Sequence, residues 1–389
     1  MSKTDDHLEF AMFSRSEMER RYKRARQLMA QQGIDVLLVT GEENFQYLAG
    51  AAASLARHAS LTRPSILILP MAEDPIIVTQ GRDNLTLGCC VTDIRDYTEI
   101  LSFPHNIVLD ALAGTAPSRV GAELGHEQRM GIPVGAYLDL VAALDRAQFV
   151  DASDIFIKLR MIKSDEELNC MRQAAAVTGR ARQRLFDRVR PGMTELQVAR
   201  LMRQLVLEEG GDDVSFVVLQ LDAPGARNLY KYDRPLERGT ILAIDAGAYV
   251  GMHTIDYPRM AVLGRATAQQ KLVHRKVLAA NRKMADALKP GITCAEMFQI
   301  GVHAIQESAI GLPPNLEGRM GHGQGLLITE PPSIAAGDDT RLEPGMVVST
   351  EPYLRYGDVQ FLWEDVHVVT EGGHEQLTTE TDELREIDL

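Results

Sequence analysis

Five side chains in the second half of this 389-residue chain have types and settings suited to chemistry: Asp245, Asp256, His322, Glu351 and Glu364. Asp245 interrupts Ile241-Leu-Ala-Ile-Asp-Ala246, an apolar run of the kind that forms a strand buried on both faces. Asp256 follows eleven residues later, after a Gly-containing turn, on what reads as the returning strand. His322 stands between glycines in Gly321-His-Gly-Gln-Gly325. Glu351 closes the apolar run Val347-Val-Ser-Thr350, and Glu364 sits inside Phe361-Leu-Trp-Glu-Asp-Val366. Two carboxylates in one apolar interior repel and desolvate each other, so Asp245 and Asp256 require a cation or a shared proton. Taken singly, the others have ordinary explanations, a satisfied histidine or a solvent-facing glutamate. Taken together, four carboxylates cannot occupy a dry cleft without cations. Two divalent ions balance four negative charges, and oxygen-rich ligation with one imidazole suits Mn, Fe, Co or Zn. Such a pair, about 3.5–4 Å apart, makes hydroxide near neutral pH and polarises a carbonyl.

The elements that must hold these residues are legible in outline. Residues 16–32 read as an amphipathic helix ended by Gly33. Short β-rich runs follow at Val36–Thr40, Ile66–Leu69, Ile76–Thr79 and Val120–Leu124, with helical segments at Ile107–Ala113 and Val134–Leu144. That mixture makes an α/β domain over residues 1–158, with no phosphate loop and no His/Cys cluster. Residues 151–164 read as a connector. Ser164 with Glu167 forms a capping box that starts a long helix to about Val189. After Arg190-Pro-Gly-Met-Thr194, Thr194 with Gln197 caps a second helix, and Val214–Gln220 reads as a strand. The same grammar returns in the next hundred residues. Thr267 with Gln270 caps a helix, Lys289-Pro-Gly-Ile-Thr293 follows, and Thr293 with Glu296 caps another. Two copies of helix, Pro-Gly turn and helix point to an internal duplication whose halves leave a cleft between their sheets. Leu326–Ile328, Met346–Tyr353 and Val359–Val369 read as further strands.

Bulk properties exclude several classes. The net charge of -13 argues against nucleic acid or an anionic membrane as the main partner. No apolar run approaches the length of a membrane span, and the polar start Met1-Ser-Lys-Thr-Asp-Asp-His7 has no signal-peptide core. Cys89, Cys90, Cys170 and Cys294 lack Cys-x-x-Cys spacing and read as free thiols in a reducing cytoplasm.

The order Asp-x10-Asp, Gly-His-Gly-x-Gly, apolar-x-x-Glu-Pro and Glu-Asp resembles the methionine aminopeptidase, prolidase and creatinase family. The resemblance covers the whole chain. It implies an α/β (α+β) protein with a smaller creatinase-like N-terminal domain and a pita-bread catalytic domain at 159–389, introduced by Leu159–Ser164. It implies that Asp245 binds one metal, that Asp256 and Glu364 bridge two, and that His322 and Glu351 bind the second, with Glu351 also the general base. It implies a homodimer whose loop Ala51–Arg63, with Arg57 and His58, approaches the partner's cleft. This chain departs from the peptidase pattern at three places. Thr329 replaces the histidine of a His-Glu pair, Asn228 stands near the position of another, and Leu362 replaces an arginine before the last Glu. Thr329, Tyr230, Tyr232 and His253 are candidate replacements, Thr329 and Tyr230 joining Glu351 as catalytic candidates. The expected function is therefore a dinuclear metal-dependent hydrolase, with manganese among the candidate metals, acting on a small amide or dipeptide-like substrate. One alternative is creatinase- or ectoine hydrolase-like hydrolysis, or dimethylsulfoniopropionate lyase-like elimination, on a small osmolyte-like compound. A second is a binding module without catalysis.

Overall fold

The computed structural model describes residues 11–51, 63–82, 85, 88–221, 234–310, 318–357 and 359–388. The chain divides into two compact units, Met1–Arg160 and Met161–Leu389.

The first unit is built on one six-stranded sheet. Its strands are β1 (Val36–Val39), β2 (Ile66–Pro70), β3 (Ile76–Thr79), β4 (Asp93–Asp96), β5 (Arg119–Ala122) and β6 (Gln148–Asp151), in the order β4-β3-β2-β1-β5-β6. The helices are α1 (Arg15–Gln32), α2 (Glu42–Ala49), α3 (His105–Ala113), α4 (Val134–Ala143) and α5 (Ser153–Met161). Strand alternation sends Val36, Leu38, Ile66, Ile68 and Val120 into one cluster with Val108, Leu112 and Leu140 of α3 and α4. The intervening Leu37, Val39, Leu67 and Leu69 are buried as well, so the central strands β1 and β2 are covered on both faces, as their fully apolar sequences require. Gly33 ends α1 in the left-handed conformation, as the sequence suggests. The expected connector is instead largely helical, since α5 runs from Ser153 to Met161.

The second unit shows its duplication in matching hydrogen bonds. Helices α6 (Asp165–Arg188), α7 (Glu195–Glu208), α8 (Ala268–Ala287) and α9 (Cys294–Gln306) each begin with a complete capping box, at Ser164, Thr194, Thr267 and Thr293. Between α6 and α7, Gly192 N donates to Leu236 O at 2.8 Å; between α8 and α9, Gly291 N donates to Leu342 O at 2.8 Å. Thr194 bridges Pro235, and Thr293 bridges Arg341. Leu236-Glu-Arg-Gly239 and Leu342-Glu-Pro-Gly345 then turn at glycines with φ 90° and 88°. One half carries β7 (Asp213–Leu221), β8 (Ile241–Val250), β9 (His253–Thr254) and β10 (Tyr257–Leu263). The other carries β11 (Arg319–Gly323), β12 (Glu330–Ala335), β13 (Val347–Thr350), β14 (Tyr353–Tyr356), β15 (Val359–Leu362), β16 (Asp365–Thr370) and β17 (Gly373–Gln376), and β18 (Arg385–Ile387) returns to β10. The sheets are β18-β10-β8-β7, with β9 beside β8, and β12-β11-β13-β16-β17, while β14 and β15 form a separate ribbon.

Three strand expectations need correction. Leu326–Ile328 is a series of bends, because Gly325 O accepts from Thr254 N and Leu327 N donates to the Glu330 side chain rather than to a ladder. The runs 346–353 and 359–369 each break in two, at Glu351-Pro352 and at Trp363-Glu364. Among the described residues, no helix is long and apolar enough to cross a membrane. All four cysteines are free.

Candidate metal centre

Alternation along β8 decides where Asp245 goes. Leu242, Ile244, Ala246 and Ala248 pack against Val177, Ala181 and Leu185 of α6 and Val198 and Met202 of α7. Asp245, one residue out of phase, is on the opposite face of the strand. Asp256 lies in the short gap between β9 and β10 and comes into hydrogen-bond contact with Asp245. Glu351 and Glu364 occupy the two breaks in the second sheet, where the chain leaves β13 and re-enters β16. His322 comes from the Gly-flanked strand β11.

These five converge. His322 Nε2 lies 3.8 Å from Asp256 Oδ2, 3.8 Å from Glu351 Oε1 and 3.9 Å from Glu364 Oε1. Ligand atoms of Asp256, His322 and Glu364 lie within 4.8 Å of one another, and all three residues are buried. Asp245 and Glu351 are half-buried.

The electrostatics call for a cation. His322 Nδ1 lies 3.0 Å from Gly323 O, which only accepts, so Nδ1 carries the ring proton. Burial and the Arg319 guanidinium pull the imidazole down to about 3, leaving Nε2 a bare lone pair facing three carboxylate oxygens. Burial raises Asp256 well above the usual carboxylate range, with Asp245, Glu364 and Glu351 pushing it further. Burial likewise raises Glu364, with Glu351 and Asp245 adding to it. Burial pushes Glu351 up to about 7, Arg319 opposing. Asp245 Oδ1 and Asp256 Oδ1 are buried with no hydrogen-bond partner among the described residues. A lone pair and two orphaned oxygens around one space are what divalent ions would satisfy, so the residues fit a metal centre.

A supporting shell, which the sequence did not disclose, holds the carboxylates. Gln324 spans two of them: its amide donates to Asp256 O at 2.8 Å and Glu364 Oε1 at 3.2 Å, and its carbonyl accepts from Asp256 N at 2.8 Å. Ser349 Oγ accepts from His322 N at 3.2 Å and also bonds to Glu364. Two buried arginines grip the backbone beneath. Arg182 Nη1 donates to Tyr257 O and Ile244 O, beside Asp256 and Asp245, and its guanidinium stacks on Tyr257. Arg259 donates to Glu364 O at 2.6 Å and Asp365 Oδ1 at 2.7 Å and stacks on Trp363. The signal available in the sequence was an arginine inside each of two largely apolar stretches, on α6 and on β10.

The replacement candidates separate. Thr329 Oγ1 accepts from Arg319 Nη2 at 3.1 Å, and Arg319 Nε lies 3.5 Å from Glu351 Oε1, so Thr329 borders the centre through Arg319. Glu330 supports the turn after the glycines, receiving Leu327 N at 3.1 Å and facing Lys163 Nζ at 3.6 Å. His253 faces Glu167 at 3.2 Å and Gly251 O at 3.0 Å, which ties β9 to the cap of α6. Tyr230, Tyr232, Asn228, Arg57 and His58 lie outside the described residues.

Two known family patterns match the chain. The pattern described as metallopeptidase family M24 matches residues 169–371, and the creatinase/prolidase N-terminal domain matches residues 21–162. The probable dipeptidase PepE of Mycobacterium tuberculosis is 28% identical over 365 residues, 91% of this chain and 92% of that protein. The Xaa-Pro dipeptidase of Pyrococcus horikoshii is 26% identical over 375 residues, 94% of this chain and 99% of that protein. The solved structure of an Xaa-Pro dipeptidase from Bacillus anthracis superimposes with a TM-score of 0.82 at 24% identity, over 95% of this chain and 99% of that one, which shows a common fold.

Proposed function

Because the chain belongs to metallopeptidase family M24, we propose that it is a metal-dependent hydrolase of a small amide or dipeptide-like substrate, prolidase-like in class. The observation that carries this reading is the neutral His322 Nε2 aimed at Asp256, Glu351 and Glu364. Relatives named dipeptidase and Xaa-Pro dipeptidase support the substrate class. In the finer reading the centre takes two divalent ions, of Mn, Fe, Co or Zn, held by Asp245, Asp256, His322, Glu351 and Glu364. Bound there, they supply a water acidic enough to react near neutral pH and polarisation of the scissile carbonyl.

The chain's own groups do the rest. Glu351 Oε1, which faces His322 Nε2 at the centre, takes the proton given up by the attacking water, as a carboxylate within reach of that water can. As the C–N bond breaks and the new C–O bond forms, that proton passes to the leaving nitrogen. Gln324 fixes the Asp256 backbone and the Glu364 carboxylate, and Ser349 fixes His322 and Glu364, so the ligands are aimed before substrate arrives. Four free thiols agree with a reducing, cytoplasmic setting, and a homodimer belongs to the same reading.

Metal analysis of purified protein, followed by proline release from a panel of prolyl dipeptides with added Mn or Co, tests the proposal. Absence of bound divalent metal together with no cleavage after addition removes it. Thr329 beside Arg319, where peptidases of the resembling family keep a histidine, favours a second reading: the same centre acting on a small osmolyte-like compound. Turnover of creatine, ectoine or dimethylsulfoniopropionate without dipeptide cleavage selects it.

A further inference from the structure

Residues 377–380, just after β17, form no helix or strand, yet they connect to both sides of the centre. Leu377 N donates to Val366 O at 2.8 Å, which lays the segment against β16. From there two arms run toward the ligands. Thr378 Oγ1 donates to Asp365 Oδ1 at 2.8 Å and accepts from Val366 N at 3.3 Å. Asp365 in turn receives Arg259, which donates to Glu364 O at 2.6 Å. Glu380 begins the other arm. Its carboxylate pairs with Arg182 through Nη2 and through Nε at 3.3 Å. Arg182 Nη1 then donates to Tyr257 O at 2.6 Å and Ile244 O at 3.4 Å, the carbonyls that adjoin Asp256 and Asp245 in the chain.

The arms meet at Tyr257. Its ring lies 4.2 Å from the Arg182 guanidinium and 5.0 Å from that of Arg259, and its Oη lies 2.9 Å from Glu380 Oε1. The outcome is a closed ring, Thr378–Asp365–Arg259–Tyr257–Arg182–Glu380, that begins and ends within one tripeptide. Arg182 and Arg259 have 0% and 3% of their side chains exposed, so each needs its carboxylate to remain charged where it holds those carbonyls. Helix α6 makes room for the segment with a glycine: a Cβ at residue 179 would lie 3.0 Å from Tyr257 Oη and 3.1 Å from Glu380 Oε1. A glycine inside a helix is otherwise unfavourable.

We propose that Thr378 and Glu380 are positioning residues for the metal ligands. Acting through the two arginines, this one segment fixes how far Glu364, on one side of the duplication, stands from Asp245 and Asp256 on the other. The inference rests on the metal-binding reading of those carboxylates.

Calorimetric titration of Mn into full-length, chelator-treated protein tests it, with urea unfolding of the same metal-free samples alongside. Glu380→Gln keeps the shape and removes the charge, and is expected to weaken Mn binding about 10-fold or more. Thr378→Val removes only the hydroxyl and is expected to weaken it about threefold to tenfold, while Thr378→Ser returns to within about twofold of wild type. Should Glu380→Gln fail to fold, the two Thr378 variants decide. Either cut opens the same ring, so the double variant is expected to fall short of the product of the two losses. Leu205→Ala, a core truncation on α7 outside the ring, is expected to lower the urea midpoint and leave Mn affinity within about twofold. An equal loss of affinity there assigns the effect to stability and overturns the proposal. So do losses that multiply in full, which make the two arms independent. Wild type that binds no Mn removes the metal-hydrolase reading together with this one. Wild type that binds Mn with an affinity neither Glu380→Gln nor Thr378→Val changes leaves that reading standing and sinks the positioning role alone.

Discussion

Asp256→Asn is expected to change the sign of its effect on stability according to whether metal is present. Asp256 and Glu364 offer oxygens within 4.8 Å of each other. At an effective dielectric of about 20, two unit charges at that separation repel by about 3.5 kcal/mol. Asp256 also meets Asp245, whose Oδ1 has no donor among the described residues, and the new amide would supply one. Retained protons trim the repulsion, so at pH 8 the metal-free variant is expected to gain about 2–3 kcal/mol over metal-free wild type. For a unit of the size of Met161–Leu389, that raises the unfolding midpoint by about 5–10 °C. Added Mn reverses the ranking. A ligand at 1,000 times its dissociation constant stabilises by about 4.1 kcal/mol, more than the 2–3 kcal/mol lead, and the variant forfeits most of this. Differential scanning calorimetry on chelator-treated and Mn-loaded samples reads both orders. If metal-free Asp256→Asn melts below metal-free wild type, the carboxylate is an ordinary structural acceptor and the charge-excess reasoning fails.

The pH response of the metal-free protein follows from the same groups. Glu351 is pushed up to about 7, with Asp256 and Glu364 also raised, so the folded state holds protons that the unfolded chain releases near pH 4. Their contribution falls as pH rises through about 7. Buried His274 at about 4, and His322 and His367 at about 3, act oppositely, costing stability as pH drops below about 6.5. Urea midpoints are therefore expected to peak near pH 6–7, with Mn flattening the alkaline limb; a midpoint still climbing at pH 8 contradicts this. Arg259→Met strips the cation from Asp365 and the donor from Glu364 O, and is expected to cost about 3–5 kcal/mol in urea unfolding. A loss under about 1 kcal/mol would show that the stacked guanidinium is dispensable. Gln324→Leu is expected to weaken metal affinity about 10–100-fold by calorimetric titration while the fold survives. Unchanged affinity would separate Gln324 from ligand orientation.

Local chemistry was legible in the sequence and long-range irregularity was not. All four capping boxes form as read, because each is settled within four residues by one hydroxyl and one carboxylate or amide. Asp245 was conspicuous because its neighbours are apolar on both sides. By contrast, β12 runs through Pro331 and Pro332, which sequence rules demote, yet it is an edge strand with one side free of ladder bonds. Arg319 was hidden by strand alternation, which sets it opposite His322, since only the close approach of Gly321 to Ser349 shows that the rule lapses there. Gln324 looked like a spacer between glycines, and its role depends on Asp256 and Glu364, which are remote along the chain.

The Lys163–Glu330 contact bears on where the molecule can be cut. Both side chains are almost fully buried, and Lys163 precedes the capping serine of α6 by one residue. Ile162 bridges Met346, and Lys163 N donates to Gly345 O at 2.9 Å. A fragment trimmed neatly to Ser164, the obvious helix start, would strand Glu330 without its ammonium partner beneath the glycine turn and unzip the first link to β13. A proteolytic or recombinant dissection that hopes to keep the C-terminal half intact has to begin no later than Met161.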